Sequence, residues 1–310
     1  MQALFIYNPN SGKKKKKKVK AVTDFSKIEK IFNKYNYHVE FIETKYAGHA
    51  KEIVYSHGPV DLVVSLGGDG TFNEIVSGNL KRKNPLVVTH LPYGTTNDIG
   101  AMFGLGKNIY KNLELLLSGE VRNIDICYVN DEPFVYVAGF GKFLTIPYET
   151  NRNLKKKIGY FAYLLGGFKD FLFGQTPLYE IGYEVENEVY HGLYSLALIS
   201  NANRIAGINN FYTDIKLNDG KFEVLLCNLK TKQEMIRSLI YLRNHNIQNV
   251  PGFYFHKTDH IKITFIDKLR KPWCLDGEKL DSIPNIYDIK IKPNLKMLVP
   301  SKIVDKLFVK

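Results

Sequence analysis

Gly67, Gly68, Asp69 and Gly70 follow an apolar run that ends at Leu66 and precede Thr71, Phe72, Asn73 and Glu74. Glycine lets the main chain approach a ligand closely and take positive φ, and the helix predicted to open near Thr71 aims free N–H groups at an anion. The segment therefore reads as a phosphate cradle. A carboxylate at Asp69 would repel phosphates unless a divalent cation lay between, which points to magnesium with a nucleotide. The plainer reading is a Gly-rich strand-to-helix turn with Asp69 as N-cap. Asp69 is expected to face solvent and to contribute little to the core. Similar turns occur at Pro92-Tyr93-Gly94-Thr95-Thr96-Asn97-Asp98 and at Asn8-Pro9-Asn10-Ser11-Gly12. Each alone is weak, but together they suggest that Thr95 and Asn97 donate to the same phosphates or base. Asn218-Asp219-Gly220 and Asp276-Gly277-Glu278, taken by themselves, read as hairpin turns.

Convergence of the turns requires a doubly wound parallel sheet, in which ligands bind outside the carboxyl ends of the strands. The first third of the chain supplies one. Residues 3–7, 37–43, 61–66 and 86–91 read as strands, and those around 22–35, 48–57, 71–80 and 108–118 as helices. From about Val121 the pattern changes to strand-like pieces: 121–129, 134–140, 178–185, 193–200, 222–229, 260–266 and 286–293. Helices are expected around 154–173 and 231–243. The fold class is thus an α/β N-terminal domain with a doubly wound parallel sheet, plus a β-rich, sandwich-like C-terminal domain with a few helices. The boundaries are 1–122 for the α/β domain and 123–294 for the β-rich domain, with a strand-like tail at about 295–310 that can pack back on the first domain.

The chain has 310 residues, with 43 Lys and Arg against 31 Asp and Glu, for a net charge of +12. Its partners are expected to be anionic, whether nucleic acid, a phosphorylated small molecule or a membrane face. The basic residues are dispersed and no nucleic-acid recognition motif is visible, so nucleic acid is disfavoured. No apolar run reaches the roughly 18 residues needed to span a bilayer, and no secretory leader is evident. Cys127, Cys227 and Cys274 are too few and too far apart for a disulfide framework or a paired-Cys metal site. A cytoplasmic protein is expected.

Beyond these separate patterns, the sequence resembles the bacterial lipid kinases that share the diacylglycerol kinase catalytic domain, relatives of the sphingosine kinases. The resemblance is carried by residues 8–12, Thr44 with Gly48-His49-Ala50, residues 67–74 and 92–98, Asp125, residues 217–224 and residues 273–278. It implies ATP-dependent, magnesium-dependent phosphoryl transfer to a lipid hydroxyl. The implied ATP site comprises Asn8, Pro9, Asn10, Ser11, Gly12, Thr44, Gly67, Gly68, Asp69, Gly70, Thr71, Phe72, Asn73, Glu74, Thr95 and Asn97. Glu278 is the implied general base with Asp276 beside it, and a structural magnesium falls at Asp219 with the carbonyls of Lys216 and Lys221. Removing the proton of a primary alcohol is work a carboxylate can do, which supports Glu278. One departure is Ala101, where many members carry Arg three residues after the position of Asp98. That leaves a network of Asp98, Asp125 and a lysine incomplete, with Lys13 as a substitute.

Two surface features fit a lipid acceptor. Ile158, Phe161, Leu165, Phe168 and Leu172 share a helical face behind Lys155, Lys156 and Lys157, and the bland reading, a core helix, stands beside one in which Tyr160, Leu164 and Phe171 line an acyl crevice at an anionic surface. The Lys13 to Lys18 run is a solvated segment or a phosphate contact. The expected location is cytoplasmic, peripheral to the inner face of the membrane, and a homodimer stays open. The rival functions are a nucleotide-gated lipid-binding protein without turnover and, less favoured, an NAD kinase.

Overall fold

Apolar β-branched and aromatic runs in the first third pair as strands, while segments whose apolar residues recur every three to four positions coil between them. The structure, a computed structural model, describes every residue except 13–22, 142–177, 206–207, 210, 232, 235–236, 239–240, 242–248, 268, 270–271 and 310. The chain order begins β1 (Gln2–Tyr7), α1 (Phe25–Lys34), β2 (His38–Glu43), α2 (His49–Ser56), β3 (Leu62–Gly67), α3 (Asp69–Leu80), β4 (Val88–Pro92), α4 (Asp98–Met102) and α5 (Ile109–Leu117). Strands then dominate: β5 (Glu120–Val129), β6 (Glu132–Phe134), β7 (Val137–Gly141), β8 (Tyr179–Val185), β9 (Glu188–Tyr194), β10 (Leu196–Ser200), β11 (Arg204–Ile205) and β12 (Ile208–Asn209). They continue with β13 (Phe222–Cys227), β14 (Phe253–Thr258), β15 (His260–Phe265), β16 (Cys274–Leu275), β17 (Glu278–Lys279) and β18 (Ile286–Val299), and the chain closes with α6 (Val304–Leu307).

Two compact units result, one of Met1–Asp125, Lys216–Asp219 and Pro293–Lys310, the other of Ile126–Ile215 and Gly220–Lys292. In the first, the parallel strand order is β2-β1-β3-β4, and the end of β18 joins β4 where Met297 pairs with Val88. Every residue of β3 and β4 is buried, as a parallel sheet covered on both faces demands. The helices pack in pairs, α1 with α5 and α2 with α3. Asp24 caps α1 by accepting the Lys27 N–H at 3.1 Å, and Ile28, Ile31 and Phe32 face inward. Arg82 closes the far end of α2 by donating to the carbonyls of Val54 and His57 at 2.5 and 2.7 Å. The Asn79 side chain bonds both main-chain groups of Leu86 at 2.8 Å, fixing the approach to β4.

Residues 216–219 are tied into the same unit. Asp125 N–H donates to Leu217 O at 2.8 Å and Leu217 N–H to Leu307 O at 2.7 Å, while the Lys216 ammonium bonds the carbonyls of Asp305, Lys306 and Phe308 at the end of α6. A cation at a helix C-terminus is favourable.

The second unit is a pair of antiparallel sheets, β14-β13-β10-β7-β16-β17 and β9-β8-β15 with the beginning of β18. Its core includes Phe140, Tyr183, Phe222, Phe265, Trp273 and Tyr287, with Trp273 stacked on Tyr287 at 4.4 Å and Phe140 edge-on to Phe265 at 4.8 Å. Large aromatic rings supply most of the buried area in a core of this kind. The expected fold class is the one observed.

Several details differ from the sequence expectations. Residues 193–200 are not one strand. The chain leaves one sheet after Tyr194 and joins the other at Leu196, with Ser195 N–H bonded to Cys227 O at 2.8 Å. Residues 286–299 form a single strand, and α4 and β14 were not anticipated. The expected helix at 154–173, with its lysines, and Lys13 to Lys18 lie outside the described residues. The helix around 231–243 is described only in part, and it opens with a capping box in which Thr231 and Glu234 bond each other's N–H groups. All three cysteines are buried and none forms a disulfide.

The closest helix contact is at Gly78, where a Cβ would sit 2.3 Å from the main-chain oxygen of Lys51. Alanine normally gains about 1 kcal/mol over glycine inside a helix. Here the neighbour is main chain and cannot swing aside, and overpacking typically costs about 1–3 kcal/mol. Gly78→Ala should therefore lower the urea midpoint, and a midpoint above wild type would show that α2 and α3 separate freely.

Candidate active site

The three glycine-bearing turns lie after β1, β3 and β4, adjacent strands of the parallel sheet. They are joined to one another by contacts that leave no room for larger residues. A Cβ on Gly94 would lie 2.6 Å from the Cα of Gly68, so two turns meet main chain to main chain. Tyr93 N–H donates to Gly67 O at 2.6 Å. Asn8 links the first turn to the second by donating its side-chain N–H to Thr71 Oγ1 at 3.2 Å, and its own Oδ1 accepts the Asn10 N–H at 2.9 Å. Gly12 takes φ +101°, and a Cβ there would be 3.0 Å from the Tyr93 ring. Gly70 faces open space, with nothing within 4 Å of an added Cβ.

The acids of this segment do not behave as expected. The N-cap of α3 is Gly68, and Asp69 serves a different helix: its carboxylate accepts the N–H groups of Asp98 at 3.0 Å and Ile99 at 3.2 Å, the first of α4. Its side chain is only 12% exposed. The cause lies in the neighbouring turn. Asn97, at the start of α4, is left-handed with φ 55° and makes no side-chain cap, because its amide is bonded to Gly94 N–H at 2.6 Å and Gly94 O at 3.2 Å. Glu74 plays the equivalent part for α2. That helix starts at Gly48 without a side-chain cap, and Glu74 accepts the Ala50 N–H at 3.2 Å. The expected phosphate repulsion at Asp69 is thus relieved by main-chain donors, and the carboxylate alone no longer requires a cation.

Other expected nucleotide residues divide by environment. Pro9, Ser11 and Thr95 are half-buried in the turns, and Asn73 Oδ1 accepts the Ser77 hydroxyl at 3.4 Å. Thr44 is buried, its N–H bonded to Tyr7 O at 2.9 Å at the end of β2. Phe72 is wholly buried and lies against His90 with ring centroids 4.9 Å apart, so its side chain belongs to the core. Asp98 and Asp125 are buried, and Ala101 sits within α4. Lys13 is outside the described residues. Asp219 is half-buried next to Asn218, whose Oδ1 accepts the Val309 N–H at 2.7 Å. Asp69 and Asp219 carry carboxylate oxygens of the type magnesium takes. Among the described residues, no group of three or more His, Cys, Asp or Glu could hold a metal ion.

In the second unit Asp276 and Gly277, with φ 48° and 92°, make a two-residue turn between β16 and β17, where Leu275 pairs with Glu278. Positive φ at both positions is the hairpin geometry that matches strand twist. Glu278 is exposed. Asp276 was expected to orient Glu278 or hold a cation, but its carboxylate is buried and accepts N–H groups from Val135 at 2.6 Å and from Tyr136 and Val137 at 3.0 Å. It clamps the connection between β6 and β7. Burial pushes its pKa up to about 6, against the pull of those three donors.

Residues 2–129 match the model of the diacylglycerol kinase catalytic domain family. The chain is 28% identical to the diacylglycerol kinase of Bacillus subtilis (strain 168) over 99% of both chains, and 26% identical to that of Staphylococcus saprophyticus over 97% of this chain and 96% of the other. The chain is thus similar along its whole length to bacterial diacylglycerol kinases, and the match to their catalytic-domain family covers its residues 2–129. A crystal structure of a diacylglycerol kinase from Bacillus anthracis str. Sterne has the same fold, with a TM-score of 0.76 at 21% identity over 98% of both chains. Among the described residues, no helix is long and apolar enough to cross a membrane.

Two stability predictions follow from the acids. Asp69→Ala leaves the first N–H groups of α4 without their acceptor, and loss of an N-cap costs about 0.5–2 kcal/mol. Its melting temperature should drop below wild type, and an unchanged one would mean that water replaces the cap at no cost. For Asp276 the folded pKa of about 6 exceeds the ordinary carboxylate value of 3.8. Its contribution is therefore full below about pH 4 and is lost as pH rises through 6. Asp276→Asn removes that dependence, so between pH 4 and 7 the stability difference should move steadily in favour of the variant. A difference constant over that range would show that folding does not shift this carboxyl.

Proposed function

We propose that the chain transfers the γ-phosphoryl group of ATP to a hydroxyl of diacylglycerol or a related lipid. The observation that carries this reading is the joining of the turns after β1, β3 and β4 into one surface, the last two through the contact of Gly68 with Gly94 and the first through the Asn8–Thr71 hydrogen bond and the approach of Gly12 to Tyr93. Glycine main chain at the mouth of a parallel sheet suits a polyphosphate. Relatives over the full length that bear the name diacylglycerol kinase support the acceptor class.

In this reading Asn8 to Gly12, Thr44, Gly67 to Glu74, Thr95 and Asn97 form the nucleotide site, with Phe72 and Glu74 acting from behind as core and as cap. Magnesium, carried by the nucleotide, neutralises charge on the β- and γ-phosphates. Asp219, with the carbonyls of Lys216 and Lys221, is the proposed holder of a structural magnesium. The acceptor oxygen bonds to the γ-phosphorus as the bond to the β-phosphate oxygen breaks, ADP leaves, and Glu278 takes the hydroxyl proton. An exposed carboxylate on a rigid two-residue hairpin can reach an acceptor without moving main chain. The +12 charge favours work at an anionic membrane surface, on the cytoplasmic face.

The test is transfer of labelled γ-phosphate to a panel of lipids in mixed micelles, with mass analysis of products. Label in diacylglycerol supports the proposal, and label in no lipid sinks it. Glu278→Gln should bind ATP as wild type does by calorimetry while lipid phosphorylation falls by about 10² to 10⁴, the usual contribution of a general base. Wild-type turnover in that variant would remove Glu278 from the chemistry.

A further inference from the structure

His90 lies in the middle of β4 with no exposed surface, and neither ring nitrogen has a hydrogen-bond partner among the described residues. Its registered neighbour on β3, Ser65, is equally buried and its hydroxyl equally unpartnered. Registered residues on adjacent strands project to the same side of a sheet. Three orphaned polar atoms are therefore gathered under the glycine turn, where leucine or valine would serve the core better. Leaving a buried polar group unsatisfied costs about 1–3 kcal/mol. Such violations concentrate where function requires them. What His90 approaches is Asp69: its Nε2 is 4.0 Å from Asp69 Oδ1, and its ring rests on Phe72 of the same helix. Burial pushes the imidazole down to about 3, so the ring is neutral and the approach is not an ion pair. A neutral ring carries one N–H, and 4.0 Å exceeds hydrogen-bond length by about 1 Å.

We propose that His90 is a positioning residue for Asp69, donating its Nε2–H to Oδ1 when the turns close on a nucleotide, with Ser65 completing the polar floor beneath. The carboxylate that caps α4 then gains a third donor, which fixes the orientation of α4 and the Asn97 turn against the Gly68 turn. The catalytic consequence rests on the kinase reading above. The positioning itself requires only that the turns bind a nucleotide, not that phosphate reach a lipid.

His90→Phe keeps a ring against Phe72 and deletes both nitrogens, and His90→Gln retains a donor of similar reach. The Phe variant should melt at or above the wild-type temperature. In the presence of the non-hydrolysable nucleotide AMP-PNP and magnesium, its Asp98 and Ile99 amides should exchange hydrogen several-fold faster by NMR. In the lipid assay its kcat should fall about tenfold at unchanged KM for ATP, the scale seen when a supporting hydrogen bond is removed. His90→Gln should restore both exchange protection and kcat. Wild-type exchange at Asp98 and Ile99 in the Phe variant would overturn the proposal, whether or not the protein phosphorylates lipid. If wild type labels no lipid while the Phe variant loses amide protection, the kinase reading falls and the positioning role stands.

Discussion

Two helices of the N-terminal unit that begin without a side-chain cap of their own, α2 and α4, are capped instead by acids of one segment. Asp69 holds the start of α4 and Glu74 the start of α2, while the segment that bears them provides α3. Each cap replaces a local solution with one supplied across space, because Gly48 has no side chain and the Asn97 amide is bound to Gly94. Free N–H groups at a helix start must be satisfied. The positions of α2 and α4 relative to the central turn therefore follow from two carboxylates, and so does the placement of the Pro92 to Asp98 turn.

The glycines set the complementary constraint. Gly68 and Gly94 meet at a distance that excludes a Cβ on Gly94, and Gly67 is packed so tightly on Thr71 that a Cβ would lie 2.7 Å from its side chain. Capping pulls the turns together and the absence of side chains lets them arrive. Neither works alone. A bulkier residue at Gly94 would lift α4 away from Asp69, and an uncapped α4 would leave the contact of the two turns without support.

The parallel sheet and the three turns were legible because strands, turns and glycines leave local signatures, and the long buried runs of β3 and β4 can scarcely be read otherwise. The fate of the acids was not legible. Asp69, Glu74 and Asp276 each bond main-chain groups distant in sequence, at separations of 29, 24 and 141 residues for Asp98, Ala50 and Val135. No spacing rule reports such partners. His90 was missed for the same reason, since one histidine in an apolar strand carries no pattern until β3 and Phe72 surround it. The two-residue hairpin at Asp276 could be read from Asp-Gly, but its burial could not.

The proposed phosphate site, built around an acidic motif, faces a contradiction that charge counting resolves with a cation. The fold resolves it first by direction. With both carboxylates of the motif turned onto main-chain N–H groups, what remains toward the open side is the main chain of glycines, of which Gly70 has no neighbour within 4 Å of an added Cβ. Asp276 repeats the device in the other unit, where three N–H groups hold a buried carboxylate and leave Glu278, two residues on, at the exposed end of the hairpin. In both places acids are committed to main-chain N–H groups beside a turn, Asp69 and Glu74 in the first and Asp276 in the second. A carboxylate committed to structure cannot also titrate freely in a reaction, so the proton-accepting role proposed above fits Glu278, which the turn displays, and not Asp276, which holds the turn.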